Sequence, residues 1–342
     1  VYDGTTDAGT IDMTGINLTG LVAGDTVAVE TSGTFNTKNV GVNKTITLTS
    51  INSGADVGNY TITDQTSLTE VGITPKSLTV SGLTANNKVY DGTRDAGTID
   101  MSGLTFTGLV AGDTVAVATT GTFDTKNAGV DKTITLTSAN SGTDAGNYAI
   151  TDQTTYGLAD ITTKALTATA TVANRTYDGL TTANAILSLS GMVGAETLTI
   201  TSVDSTFNDK NVANDKIVTI NTTNFGNGAN GGLASNYSLM TGQTTLANIT
   251  SKSLTVSGLS ASDKVYDGTT DAGTIDMTGL NLSGLVVGDA VDVTTTGTFD
   301  TKNAGVDKTI TLTSINSGAD VGNYTIADQA TYSLANITTK AL

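Results

Sequence analysis

The chain has 342 residues, of which 37% are apolar and 5% aromatic, and a formal net charge of −16. Its acidic balance, without Lys or Arg clusters, argues against nucleic acid and anionic membrane as partners, and it has no run of about 18 apolar residues that would span a bilayer as a helix. His and Cys are absent. That removes the usual general base, the thiol nucleophile and most zinc sites, so no enzyme is expected.

Tyr-Asp-Gly occurs at Tyr2, Tyr90, Tyr177 and Tyr266, at intervals of 88, 87 and 89 residues. Lys76, Lys164, Lys252 and Lys340 recur every 88 residues. Such a period specifies tandem modules, here residues 1–75, 76–163, 164–251 and 252–342. The first begins inside the motif at Val1-Tyr2-Asp3-Gly4, without the leading strand of the later ones. It is therefore expected to be an interior window of a longer protein. The acids are almost all Asp, with Glu only at Glu30, Glu70 and Glu196. Asp suits turns and Glu suits helices, so the imbalance favours an all-β chain.

Repeat 2 gives the elements in order. Ser77-Leu78-Thr79-Val80 alternates as a strand. Lys88-Val89-Tyr90 is a short strand closing at Asp91-Gly92, where a type I′ turn is expected. Its Tyr ring would fill the core edge, with the hydroxyl on a backbone partner. Thr98–Met101, Leu104–Thr107 and Thr114–Val117 continue the alternation. Gly121-Thr122-Phe123 leads into the loop Asp124–Gly129. Lys132–Thr137 is the clearest strand, with Ile134 and Leu136 on one face and Thr133, Thr135 and Thr137 on the other. Ser141–Asn147 forms a turn or a short 3₁₀ stretch, and Tyr148–Thr151 and Ala159–Thr162 close the module.

About seven to nine short strands at turn spacings near ten residues, with no helical period, predict an immunoglobulin-like β-sandwich. A continuous β-solenoid would repeat at roughly 20–30 residues instead. The joins, such as Thr163-Lys164-Ala165-Leu166, contain no Gly-rich linker and limit bending. The expected architecture is an elongated rod of four modules, reaching on the order of 120–160 Å at the rise of a strand. Repeat 3 diverges. It carries Gly194-Ala195-Glu196 in place of Ala-Gly-Asp, Asn174-Arg175-Thr176 before its motif, and a longer late loop over Asn224–Gly232.

The ordered series Lys88-Val89-Tyr90-Asp91-Gly92-Thr93, Gly112-Asp113, Phe123-x-x-Lys126-Asn127-x-Gly129, Gly146-Asn147-Tyr148 and Asp160-Ile161-Thr162-x-Lys164 resembles the YDG-domain repeats of large bacterial surface adhesins. The resemblance covers essentially the whole chain. It implies stalk modules of a filamentous-haemagglutinin-type or biofilm adhesin, secreted and displayed at the cell surface. It supplies no catalytic residue. The motif residues Tyr90, Asp91 and Gly92, Tyr177, Asp178 and Gly179, and Tyr266, Asp267 and Gly268 are expected to be structural.

The expected function is a stalk that spaces an adhesive region from the cell. The alternatives are a multivalent module for surface glycans, matrix polysaccharide or a host or partner protein, with Asn224–Gly232 as its surface, and a filament built by strand exchange between copies. Asp91, Asp95, Asp124, Asp131 and Asp144 are candidate calcium ligands, since calcium takes several oxygens. No dense Asp-x-Asp-x-Asp loop gathers them, and no other cofactor is expected. Lys132 with Asn147 is the candidate pair for an isopeptide cross-link. Asn59-Tyr60-Thr61 and Asn323-Tyr324-Thr325 are glycosylation sequons. The ladders Thr45-x-Thr47-x-Thr49 and Thr309-x-Thr311-x-Thr313 are read as solvent-facing strand threonines.

Overall fold

Alternation of Thr with Ile, Leu and Val sets the strands, and the chain is almost entirely strand and turn. The computed structural model describes residues 1–342. Its helical segments are four 3₁₀ turns, among them Ala145–Asn147 before Tyr148. No helix is long and apolar enough to cross a membrane. The chain forms two units, Val1–Thr163 and Lys164–Leu342, each described by itself.

In the first unit, repeat 2 is a sandwich of two sheets. One runs in the order Lys88–Val89, Thr155–Thr162, Gly129–Ser141, Ala116–Phe123. The other runs Tyr148–Thr151, Lys76–Ser81, Thr105–Thr107. Two pairings are parallel, Tyr148 beside Lys76 and Ile161 beside Lys88. The strand expected over Lys132–Thr137 extends to Gly129–Ser141, with Lys132, Ile134 and Leu136 buried and Thr133, Thr135 and Thr137 exposed. Val80, Leu83, Ala96 and Ile99 face Phe123, Ile134, Ala159 and Ile161 in an aliphatic core. Each large side chain so buried contributes about 1.5–3 kcal/mol.

The strand expected over Thr114–Val117 begins later and runs Ala116–Phe123, through Gly121. Gly121 lies under the core. A Cβ there would come within 2.7 Å of Ile99 Cδ1 and 2.9 Å of Ile134 Cγ2. Glycine therefore marks close approach of the sheets and not the start of a loop.

Repeat 1 has one sheet, Ala28–Phe35, Gly41–Ser53, Ser67–Ile73. Ile11, Met13, Leu18, Val29, Leu48 and Leu68 line an open cavity of about 450 Å³. In repeat 2, Gln153 clamps Leu83 by accepting from its N–H at 3.0 Å and donating to its carbonyl at 2.8 Å. Gln65, the matching side chain of repeat 1, borders the cavity.

In the second unit, repeat 4 repeats the two sheets of repeat 2 strand for strand. Repeat 3 differs in three places. Lys164–Val172 and Ala185–Ser190 pair over six residues, where the matching strands of repeat 2 pair over three. Ser205 stands where repeats 1, 2 and 4 have glycine. It is buried, donating to the Ala183 carbonyl at 2.7 Å and accepting from Ala185 N–H at 3.3 Å. The longer loop expected over Asn224–Gly232 is strand in its first four residues and turn in the remaining five. Ala213–Asn227 runs on as a ladder, with Asn224 opposite Ser202 and Asn227 opposite Leu198. Only the tight turn after Asn227 remains, closed by Gly228 N–H on the Gly232 carbonyl at 2.9 Å. The extra residues lengthen a hairpin because its Asn and Thr side chains pair across it, as Asn224 does with Ser202 Oγ at 2.8 Å.

Candidate functional site: the joint between neighbouring repeats

The motif tyrosines are held first by their own repeats. Tyr2, Tyr90, Tyr177 and Tyr266 each donate their backbone N–H, at 2.9 Å, to Thr74, Thr162, Thr250 and Thr338 of the closing strand. The aspartate then turns the chain. Asp91 Oδ1 accepts from Thr93 N–H at 2.8 Å and from Thr93 Oγ1 at 2.9 Å. Asp267 does the same with Thr269. These bonds and Lys264 hold the Asp267 carboxyl at a pKa of about 2, the Thr269 N–H being the largest cause. The expected type I′ turn is corrected. Gly92 has φ +80° and Gly268 +84°, but the aspartates before them are not left-handed. A side-chain-capped Asx turn replaces it, because the carboxylate supplies the closing acceptor.

A lysine pins this turn. Lys88 Nζ reaches Asp91 at 2.9 Å and the Asp95 carbonyl at 2.7 Å, over the ring of Phe123. Arg175 serves the divergent repeat 3, bonding Asp178 at 3.1 Å and the carbonyls of Leu180 and Thr182 while lying over Phe207.

In the first unit the Tyr2 side chain leaves its own repeat. Its hydroxyl donates to Asp113 of repeat 2 at 2.7 Å, a carboxylate and not the expected backbone partner. Tyr148 donates to the same Asp113 oxygen at 2.6 Å, and Lys38 Nζ lies 3.1 Å from the other. The two tyrosine rings meet edge on. Val40 N–H donates to Asn147 Oδ1 at 3.0 Å, and Asn147 Nδ2 donates to Asn39 at 3.3 Å. Ile73, Leu78, Val110 and Phe106 fill in around the two rings. Gly4, at φ +87°, presses on Val110: a Cβ there would lie 2.6 Å from Val110 Cγ1. The motif glycine thus meets two demands, a left-handed backbone and contact with the next repeat.

The second unit builds the same joint between repeats 3 and 4. Tyr177 and Tyr324 meet edge on at 5.6 Å. Tyr324 donates to Asp289 at 2.6 Å, and Lys210 bridges Asp289 and Asp320, each at 2.9 Å. Val212 N–H donates to Asn323 at 2.9 Å, and Gly179 presses on Val286. Repeat 3 keeps the tyrosine–acid pair with a longer acid, Tyr237 donating to Glu196 at 2.7 Å.

The Asp113 side chain is 2% exposed and that of Asp289 3%. Burial alone pushes both carboxyls up. Bonds from Tyr148, Tyr2 and Lys38 to Asp113, and from Tyr324 and Lys210 to Asp289, outweigh it and hold both below the usual carboxylate value. Burial first, and then the acid, pushes Tyr148 and Tyr324 up to about 12. A buried acid with several charged and neutral donors is satisfied, and losing one partner is costly.

The candidate calcium acids do not converge. Asp91 is held by Lys88 and Thr93, and Asp124 by Lys132 at 2.8 Å. Asp95 accepts from Gly97 N–H, while Asp131 docks on Asp160 through its own N–H. Asp144 accepts from Thr114 N–H at 2.9 Å and lies 3.6 Å from Lys38, at the joint. No group of three or more His, Cys, Asp or Glu side chains is placed to hold a metal ion. The isopeptide pair is also corrected. Lys132 is spent on Asp124 and Thr125, and Asn147 on Val40 and Asn39. The Asn323 sequon is closed, its asparagine being 3% exposed within a joint.

Sequence reasoning placed Asp113, Asn147 and Tyr148 in turns and in the motif series, and missed that they face Tyr2, Lys38 and Val40. The recurrence of Asn-Tyr in each repeat, and of an acid at the Asp113 position (Glu196 in repeat 3), was the available signal.

The geometry defines a tandem β-sandwich repeat chain whose recurrent side chains serve repeat-to-repeat docking. The chain belongs to the YDG domain family, whose model matches residues 1–67, 74–156, 162–245 and 250–332. No curated protein and no solved structure matches it. Tandem YDG repeats are typical of large bacterial surface and adhesin proteins, and the chain is consistent with the structural or adhesive extracellular role typical of that family.

Proposed function

We propose that the chain is a stalk segment of a secreted or surface-displayed bacterial adhesin, spacing an adhesive region from the cell. One observation carries this reading: an edge-on tyrosine pair beside a buried aspartate, which holds a lysine and the hydroxyl of Tyr148 or Tyr324, is built twice, with matching distances. Ligand-binding residues lie disproportionately on exposed loops. This chain instead repeats the residues that fix one module on the next, and an acidic surface discourages lateral sticking.

The test is a displayed chain with a surface anchor at one end and a fluorescent tag at the other. The tag's height above the membrane should fall in steps as repeats are deleted one at a time. A height independent of repeat number overturns the reading. A glycan array on the isolated third repeat addresses the multivalent-binding alternative.

A further inference from the structure

The hairpin that repeat 3 lengthens holds the chain's two Asn-Gly pairs, Asn227-Gly228 and Asn230-Gly231. Such pairs lose the side-chain amide most readily, because glycine has no Cβ to hinder attack by its own backbone nitrogen on the preceding carboxamide carbon. The fold treats the two differently. Asn227 is locked. Its Oδ1 accepts from Ala234 N–H at 2.9 Å, and the Gly228 nitrogen that would attack it donates to the Gly232 carbonyl at 2.9 Å. Gly228 is also wedged against Thr197, where a Cβ would lie 2.1 Å from the carbonyl oxygen. Ring closure at Asn227 would have to break both bonds and move the backbone.

Asn230 is open. Gly232 N–H donates to the Ala229 carbonyl at 3.1 Å, and Asn230 and Gly231 between them have φ +56° and +85°. Two left-handed central residues closed by that bond make a type I′ turn, the conformation Asn-Gly favours. Both residues are exposed, and the Gly231 N–H makes no hydrogen bond. The Asn230 carboxamide has one bond, from Nδ2 to the Ala195 carbonyl at 2.8 Å.

From this contrast we propose that Asn230 is a self-modification site. The Gly231 nitrogen attacks Asn230 Cγ, a new C–N bond closes a succinimide ring, and the Cγ–Nδ2 bond breaks. The Gly231 proton passes through solvent to the leaving nitrogen, which departs as ammonia. Water then adds to either ring carbonyl and opens the ring, giving aspartate, or isoaspartate with the main chain rerouted through the side chain. The product changes its surroundings. A carboxylate oxygen replaces the Nδ2 donor and faces the Ala195 carbonyl, acceptor against acceptor. Thr197 N–H on the Ala229 carbonyl at 3.2 Å and Ala229 N–H on Thr197 Oγ1 at 2.8 Å are then left to hold the turn. The new charge also arrives beside the residue preceding Glu196, whose buried carboxylate accepts from Tyr237, and like charges disfavour one another. Conversion therefore loosens Ala195–Thr197, the segment that carries the tyrosine–acid pair of repeat 3, and does so in one direction with time. The inference concerns the chemistry of this turn, so its failure leaves the spacing role standing.

Peptide mapping by mass spectrometry on the intact chain, sampled over a long incubation in neutral buffer, tests it. Acid should accumulate at position 230 several-fold faster than at position 227, and faster still as pH rises, because the attacking nitrogen must lose its proton. In the urea-unfolded chain the two pairs should convert at similar rates. Asn230→Gln, whose longer side chain closes a ring far less readily, should keep its amide and remain folded by circular dichroism. Hydrogen exchange at Thr197 and Ala229 should quicken in the converted chain and stay unchanged in Asn230→Gln. An intact amide at 230 after incubation, conversion at 227 as fast as at 230, or the same ratio of rates in urea overturns the modification site. Unchanged exchange in the converted chain overturns the loosening.

Discussion

Tyr2 and Tyr148 meet edge to face, their ring centroids 5.5 Å apart at 78°, and both hydroxyls donate to one oxygen of Asp113. Tyr2 belongs to one repeat, and Tyr148 and Asp113 to the next. The joint is therefore a small shared core with a charged centre, and not a linker. Tyr177, Tyr324 and Asp289 stand in the same relation in the second unit, as far as ring geometry and the Tyr324 bond go.

Removing the shared acid should loosen the joint without unfolding either sandwich. Asp113→Ala leaves two buried tyrosine hydroxyls without their acceptor and takes from Lys38 the nearer of its two carboxylates, with Asp144 remaining 3.6 Å away; each unpaired hydroxyl should cost about 1–3 kcal/mol. Urea denaturation of the chain should show repeats 1 and 2 separating into distinct transitions, with the repeat 2 core unmoved. Asp289→Ala should do the same to repeats 3 and 4.

The motif glycines should differ in tolerance although their φ angles agree. Gly268→Ala meets open space, so only the left-handed backbone costs anything, about 1–2 kcal/mol. Gly4→Ala also drives a methyl into Val110, adding roughly 1–3 kcal/mol of overpacking. Val110→Ala should recover part of the second cost and none of the first. Thermal melts of the single and double variants give the comparison.

The joint should open at both pH extremes. The Asp113 and Asp289 carboxyls are depressed in the folded state. Their contribution is present above the unfolded carboxylate value of about 3.9 and is lost as pH falls through the lower native value. Tyr148 and Tyr324 are raised to about 12. Their contribution is complete below the unfolded tyrosine value of about 10 and is lost as pH rises through 12. Tyrosine absorbance titration should show late-titrating residues, and Asp113→Asn should bring Tyr148 down toward the usual value.

Gly297 tests the close approach of the sheets. A Cβ there would lie 2.7 Å from Ile275 Cδ1 and 2.8 Å from Ile310 Cγ2. Gly297→Ser should destabilise repeat 4 by about 1–3 kcal/mol. The reverse change in repeat 3, Ser205→Gly, removes the hydroxyl between the Ala183 carbonyl and Ala185 N–H and should cost about 1 kcal/mol. Calorimetry on both variants measures the two effects.

Strand, turn and period were legible because each is written within a few residues. Ile134 and Leu136 declare their face by alternation, and four Tyr-Asp-Gly motifs declare the modules. The long strand around Gly121 was less legible, since a glycine reads as a break until its neighbours across the sandwich are known. The role of the motif tyrosine was hidden for a different reason. Tyr2 and Asp113 are 111 residues apart, more than one full repeat. A comparison of repeats aligns each tyrosine with other tyrosines, and never with the acid it meets. Repeat 3 hid its own change in a similar way. The added residues around Asn224 pair across a hairpin, while local composition describes them only as polar.

A shared aspartate that fixes neighbouring repeats in one orientation has a direct signature in solution. Residual dipolar couplings measured on the intact chain report the orientation of each repeat separately. Couplings from repeats 1 and 2 should fit one common alignment tensor, and Asp113→Ala should split it into two. Independent tensors for the two repeats in the wild-type chain would contradict the role given to Asp113.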